Sequence, residues 1–233
     1  MKNSVLIRGI KIYSFRSKED IVDYVKDKNT VLIAVNAEKI LHATHEIKGL
    51  INQNIGYTDG SGAVWALKRK GLKDTVKIPG CELWLDIISQ TYKSKSFYLV
   101  GGTEEVIQST IKKLRSDFEG VNIKGYRNGY IKDDQEFQNL FQDVCDTQPD
   151  VVFVAMGSPK QEEIILSMQS RHPALYQGLG GSFDVYVGKV DRAPDWWVSH
   201  HLEWAYRLIK QPSRIKRQIH LVKYFWWILW NKL

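Results

Sequence analysis

The chain has 233 residues, 43% hydrophobic and 25% charged, a composition that suits one folded domain with a sizeable core and excludes a disordered or low-complexity chain. Its formal charge of +7 is unevenly placed: all 26 acidic residues and all but seven of the 33 basic ones precede Trp204, so the body is neutral and the excess lies at the C-terminal end. Six of the eight tryptophans also fall at or beyond position 196. A neutral body with no recognisable binding motif argues against a nucleic-acid partner.

The first fifteen residues, MKNSVLIRGIKIYSF, form an apolar stretch broken by Arg8 and Lys11, so no signal-peptide core is expected. Short β-rich runs then alternate with helical patterns: 30–35 then 37–51, 96–100 then 103–118, 121–126 then 133–146, and 151–155 then 159–170. VLIAV and VVFVA are apolar on both faces, as central strands of a parallel sheet must be when helices cover both sides. The expected class is α/β: an open, mostly parallel Rossmann-like sheet with helices on both faces and a helical C-terminal appendage. A catalytic domain over 1–195 and an appendage over 196–233 follow from the shift in composition. Cys81 and Cys145 are far apart with no CxxC spacing, which fits two reduced thiols better than a disulfide framework.

Open α/β sheets collect ligands at the carboxyl ends of their strands. The residues expected there are small and polar: Asn36-Ala37-Glu38-Lys39, Thr58-Asp59-Gly60-Ser61-Gly62, Gly101-Gly102-Thr103, Met156-Gly157-Ser158-Pro159-Lys160-Gln161-Glu162 and Gly178-Leu179-Gly180-Gly181-Ser182-Phe183-Asp184. Gly60-Ser61-Gly62, opening a helix at Ala63, suits an anion held by exposed N–H groups and the helix dipole. Trp65 stands where the third glycine of GxGxxG would be, and no GxxxxGK[ST] occurs, so a standard dinucleotide site and a P-loop are both disfavoured. Asp59 suits either a base on a substrate hydroxyl or a helix cap. Asp184 has the same two readings, with Ser182 as a competing cap. In the third motif Ser158 is the expected cap, Pro159 the first helical residue and Gln161 a capping-box partner. Lys160 and Gln161 are equally placed to turn a cation and an amide over the strand ends.

Metal chemistry has little support. His42 and His45 lie near Glu38 and Glu46 on one helical pattern, but no further ligand follows at a recognised spacing. No Asp-x-Asp occurs either, so no metal and no cofactor is expected. Any leaving diphosphate would then rely on Arg and Lys.

The tail supplies them. Ile215, Ile219, Val222, Trp226, Leu229 and Leu233 recur at helical spacing, flanked by Arg214, Lys216, Arg217, His220 and Lys223, with Trp227 and Trp230 in the last turns. A basic amphipathic helix with interfacial aromatics fits an anionic membrane surface. Its longest apolar run, 224–230, falls well short of the ~20 residues a span requires. Packing of the same helix on its own core or on a partner subunit is the competing reading, and it leaves a homo-oligomer open.

In order and spacing, these motifs, together with Phe97-Tyr98-Leu99-Val100-Gly101-Gly102, Arg192-Ala193-Pro194, Leu202-Glu203-Trp204 and Gln211-Pro212-Ser213-Arg214, resemble the WecG/TagA/CpsF glycosyltransferases over nearly the whole chain. The resemblance implies inverting, metal-independent transfer of an N-acetylmannosamine-type sugar from a UDP-sugar donor to undecaprenyl-diphosphate-linked N-acetylglucosamine. It casts Asp59 as general base, Asn36 as positioning substrate and Gln161 as a pocket residue, and the strand-end residues Gly60, Gly62, Gly102, Gly157, Lys160, Gly181 and Asp184 complete the expected substrate-binding set. Arg207, Arg214 and Arg217 match the appendage arginines that hold the diphosphate, leaving Lys216, Lys223, Trp226, Trp227 and Trp230 for the membrane. Asn-Ala-Glu-Lys and Met-Gly-Ser-Pro-Lys-Gln-Glu are most similar to the enterobacterial common antigen branch, which transfers N-acetylmannosaminuronic acid. The expected location is cytoplasmic, peripheral on the inner face of the cytoplasmic membrane. The alternative is a membrane-recruited module that binds a sugar nucleotide without turning over an acceptor.

Overall fold

Where β-branched and aromatic runs were expected to pair, the computed structural model forms strands, and it describes residues 4–191 together with 194, 196, 197, 205, 206, 209 and 224. In chain order the elements are β1 (Ser4–Ile7), β2 (Ile10–Tyr13), α1 (Lys18–Val25), β3 (Thr30–Val35), α2 (Ala37–His42), α3 (His45–Gln53), β4 (Ile55–Thr58), α4 (Ser61–Arg69) and α5 (Gly80–Thr91). They continue with β5 (Ser96–Gly101), α6 (Glu104–Asp117), β6 (Asn122–Arg127), α7 (Asp134–Thr147), β7 (Val151–Ala155), α8 (Lys160–Gln169), β8 (Leu175–Gly178) and α9 (Ser182–Tyr186). Six strands form one parallel sheet in the order β4-β3-β8-β7-β5-β6, flanked by helices in the Rossmann-like manner. Every residue of β5 and β7 is buried, which requires cover on both faces.

The chain divides into two compact units: Met1–Arg16 with Ala34–Pro79 and Asp191–Leu233, and Ser17–Ile33 with Gly80–Val190. In the first, the apolar start expected only to lack a signal core is an antiparallel hairpin, β1 with β2. Its two-residue turn puts Arg8 and Gly9 at φ 49° and 81°, the left-handed pair that matches strand twist. Asn52 ties the hairpin to α3, accepting from Lys11 N at 2.7 Å and donating to Gly9 O at 2.9 Å.

One expected helix is two. The pattern over 37–51 breaks at Ala43, which leaves helical space at ψ 128°, and Thr44 restarts the chain by capping Ile47 N at 3.3 Å. A β-region residue followed by a Thr cap ends one helix and begins the next. His42 and His45 therefore sit on different helices, which removes the shared face their spacing implied.

In the second unit the helices begin where small oxygen-bearing side chains can take orphan N–H groups: Ser17 caps Asp20 N at 3.1 Å, Thr103 caps Val106 N at 3.2 Å and Asp133 caps Glu136 N at 2.8 Å. Its core is organised by Trp84 of α5. The ring meets Phe153 of β7, Phe183 of α9 and Tyr186 edge-on at 5.7, 5.4 and 5.2 Å between centroids, and its N–H donates to Cys81 O at 3.0 Å. That cluster holds the short α9, and so the position of Asp184, against the sheet. Among the described residues no helix is long and apolar enough to cross a membrane.

Candidate functional site

Each unit carries its own set of strand-end residues. In the first unit Asn36 follows β3 and caps α2, its Oδ1 accepting from Lys39 N at 2.9 Å. Asp59 follows β4, and its N–H donates to Val35 O at 3.1 Å. A Cβ on Gly60 would lie 3.3 Å from Asn36 Cβ, so the two turns are in van der Waals contact. This brings the Asp59-Gly60 turn beside Asn36. The cap position of α4 is Gly60, which brings no side chain to the helix end, and Asp59 stands one residue before it. The N–H groups of Ser61 and Gly62 are spent on no acceptor among the described residues, which leaves the start of α4 able to meet an anion.

Gly62 is small for another reason. A Cβ there would lie 3.0 Å from both Ala37 Cβ and Tyr224 Cε1, and the Tyr224 hydroxyl donates to Gly62 O at 3.1 Å. Tyr224 is 0% exposed, and burial raises its phenol pKa well above the ordinary value. At this position the tail packs on its own unit, and the second glycine of the Asp59 turn is its seat. The sequence signal was a hydroxyl at the head of the apolar run 224–230, where an anchor needs none.

In the second unit Gly101 and Gly102 adopt φ 144° and 66°, and a Cβ on Gly101 would meet Ala155 O at 2.3 Å, so only glycine fits that close approach. Gly102 donates to Ala155 O at 3.3 Å and accepts from Gly129 N at 2.9 Å, so its backbone groups are already engaged. Gly157, after β7, has φ 77° and accepts from Gln161 N at 2.9 Å.

The expected capping box at α8 does not form. The cap position is Pro159 with no side-chain bond, and the helix starts at Lys160, one residue later than expected. The Gln161 amide instead reaches away from its own helix end: its Oε1 accepts from Gly180 N at 2.8 Å, beyond the end of β8. Gln161 is 7% exposed and the neighbouring Glu162 3%, a buried carboxylate that the motif reading passed over. Lys160 is exposed and forms no ion pair among the described residues. Gly181 takes the cap position of α9 without a side-chain bond, and the Ser182 hydroxyl donates to Leu179 O at 2.6 Å. Neither Ser182 nor Asp184 caps that helix. The Asp184 carboxylate has no partner among the described residues.

Structure thus joins Asn36, Asp59, Gly60 and Gly62 in one unit, and Gly157, Gln161, Gly178 and Gly180 in the other. Arg207, Arg214, Arg217, Lys216, Lys223, Trp226, Trp227 and Trp230 lie outside the described residues. A cavity of about 280 Å³ in the second unit is elsewhere, lined by residues such as Asn29, Lys95, Asp150 and Pro173 that precede β3, β5, β7 and β8. It marks the amino edge of the strands, opposite to the edge where ligands of such sheets gather. Asp150 is structural there: its carboxylate accepts from Ser96 N at 2.8 Å and Ser96 Oγ at 2.6 Å.

A parallel sheet with glycine-rich turns and helix starts at its carboxyl edge, and with no dinucleotide or P-loop signature, defines a Rossmann-like α/β protein. The chain belongs to the glycosyl transferase WecG/TagA/CpsF family, whose model matches residues 5–233. It is accordingly a glycosyltransferase of polysaccharide biosynthesis, using a sugar-nucleotide donor and an acceptor.

Proposed function

We propose that this glycosyltransferase moves N-acetylmannosaminuronic acid or N-acetylmannosamine, the former as in the enterobacterial common antigen branch, from a UDP-sugar to undecaprenyl-diphosphate-linked N-acetylglucosamine, with inversion and without a metal. The observation that carries the reading is the Asp59-Gly60 turn, held against Asn36 at the ends of β3 and β4, with the Ser61 and Gly62 amides of α4 meeting no acceptor among the described residues. Asp59 takes the proton of the acceptor's 4-hydroxyl. That oxygen attacks the anomeric carbon while the carbon–oxygen bond to UDP breaks and its electron pair leaves on the diphosphate. A single in-line displacement inverts the anomeric centre. Asn36 orients the acceptor, and Arg207, Arg214 and Arg217 absorb the charge on UDP in place of an Asp-x-Asp-bound metal. Lys216, Lys223, Trp226, Trp227 and Trp230 hold the chain on an anionic, inner-face membrane surface where a lipid-linked acceptor resides.

Incubation with a synthetic lipid-diphosphate N-acetylglucosamine and a panel of UDP-sugars, with products weighed by mass spectrometry, tests the donor and acceptor together. UDP is expected to appear only when acceptor and a mannosamine-type donor are both supplied. UDP release without acceptor dependence, or transfer from another sugar only, overturns the assignment.

A further inference from the structure

Among the described helices α4 alone carries no Asp or Glu. Its buried residues are Ala63, Val64, Ala66 and Leu67, while Trp65, Lys68 and Arg69 share the exposed side at helical spacing, with Trp65 39% exposed. Lys70 and Lys73 follow, both exposed, so residues 61–73 hold four cations and no carboxylate within a body whose charges otherwise cancel. A cation or two in a last turn is ordinary compensation for the helix dipole. Here the carbonyls of that turn are already closed by backbone: Gly71, at φ 94°, donates to Lys68 O at 3.1 Å and Leu72 N donates to Leu67 O at 3.1 Å, the paired bonds of a left-handed glycine cap. The turn beyond is pinned as well, by Lys73 N on Gly71 O at 3.1 Å and the Thr75 hydroxyl on Leu72 O at 2.7 Å. A fixed scaffold therefore presents these lysines to solvent near a tryptophan. The other end of α4 receives the tail: Tyr224, first residue of the apolar run 224–230, sits on Gly62 within the same unit.

We propose that the exposed face of α4 is a second membrane contact, with Trp65 at headgroup level and Lys68, Arg69, Lys70 and Lys73 on the phosphates of anionic lipids. This rests on the reading that the tail meets an anionic leaflet. It adds a surface of the body to that reading, so the helix that starts at the Asp59 turn lies against the leaflet instead of hanging from a tether. Cations without an apolar stripe hold weakly, so the face adds to the tail and does not replace it.

The test mixes the full chain with vesicles of phosphatidylglycerol and phosphatidylcholine, or of phosphatidylcholine alone, and reads the bound fraction by sedimentation. Lys68→Gln, Lys70→Gln and Lys73→Gln combined should weaken binding to the anionic vesicles about 10²-fold. The thermal midpoint and transfer to a water-soluble acceptor should stay as in the unmodified protein, because these side chains lie on the surface and outside the proposed site. Acetylation of the unmodified chain, followed lysine by lysine by mass spectrometry, should show Lys68, Lys70 and Lys73 shielded by anionic vesicles and not by neutral ones. Unchanged vesicle affinity in the triple variant, or equal reactivity of the three lysines with and without anionic vesicles, overturns the face while leaving the tail and the glycosyltransferase reading intact. Shielding by a DNA duplex but not by vesicles would assign the face to another polyanion and overturn it equally. If the unmodified chain binds no anionic vesicle, the tail reading fails and the face fails with it.

Discussion

Asp59 and Gln161 show how much a single side chain's surroundings decide. Asp59 stands one residue before Gly60, the cap position of α4, and the proposed base role has a direct consequence. Asp59→Asn keeps size and hydrogen bonding but removes the proton acceptor. It should lower kcat by about 10²–10⁴-fold with donor affinity within a few-fold of normal, as read by single-turnover assays beside calorimetry. Full activity in that variant would refute the base. A second residue-scale expectation concerns acid stability. Burial alone would raise the Asp150 carboxyl, but the two bonds from Ser96 outweigh it and hold the group below the ordinary carboxylate value of 3.8. A carboxyl depressed in the folded state stabilises the fold above its unfolded pKa and loses that contribution as pH falls through the lower folded value. Ser96→Ala removes the hydroxyl bond, so the acid unfolding midpoint, followed by circular dichroism below about pH 4, should move upward. Asp150 is exposed and solvent screens it, so the change at neutral pH should stay near about 0.5 kcal/mol.

At the level of elements, the C-terminal segment and α4 share a seat. Tyr224 covers Gly62 by ring contact and by a bond to its carbonyl. Tyr224→Phe should cost about 1 kcal/mol through the lost hydrogen bond, and Gly62→Ala about 1–3 kcal/mol through overpacking against Ala37 and the ring. In urea denaturation the pair should be non-additive, because both changes act on one contact; strict additivity would show that the contact does not form in solution. Phe183 carries a comparable weight in the second unit, since it is buried against Trp84 and holds α9. Phe183→Ala should destabilise by about 3–5 kcal/mol on the same assay. Periodicity located most of these elements: β3, β5, β7 and the helices after β5, β6 and β7 fall within a residue or two of their expected bounds. The break at Ala43-Thr44 was less visible, because both halves keep an apolar face and only the backbone at Ala43 leaves helical space. The capping box at α8 failed because Gln161 had a better partner in Gly180, nineteen residues away.

At the scale of the whole molecule the charge is the organising feature, with a neutral body and all the excess positive charge after Trp204. At ~1 kcal/mol each near an anionic leaflet, seven basic residues would make the full chain a salt-sensitive binder under the proposed membrane role. It should co-sediment with anionic vesicles at low salt, release as salt rises, and ignore neutral vesicles. A chain truncated after Asp195 should lose that binding and, if Arg207, Arg214 and Arg217 hold the diphosphate, transfer to a water-soluble acceptor as well. Retained transfer with lost sedimentation would reduce the tail to an anchor. The sequence alone determined the α/β class, the parallel strands, the glycine-rich strand ends and the polarised charge, because hydrophobic period, turn chemistry and net charge are local properties of the chain. Only the tertiary structure decided what each glycine serves: Gly62 receives Tyr224, Gly178 admits the Gln161 amide and Gly101 meets Ala155. Those contacts join residues 17, 54 and 162 positions apart, and a missing Cβ has a meaning only once its neighbour in space is known.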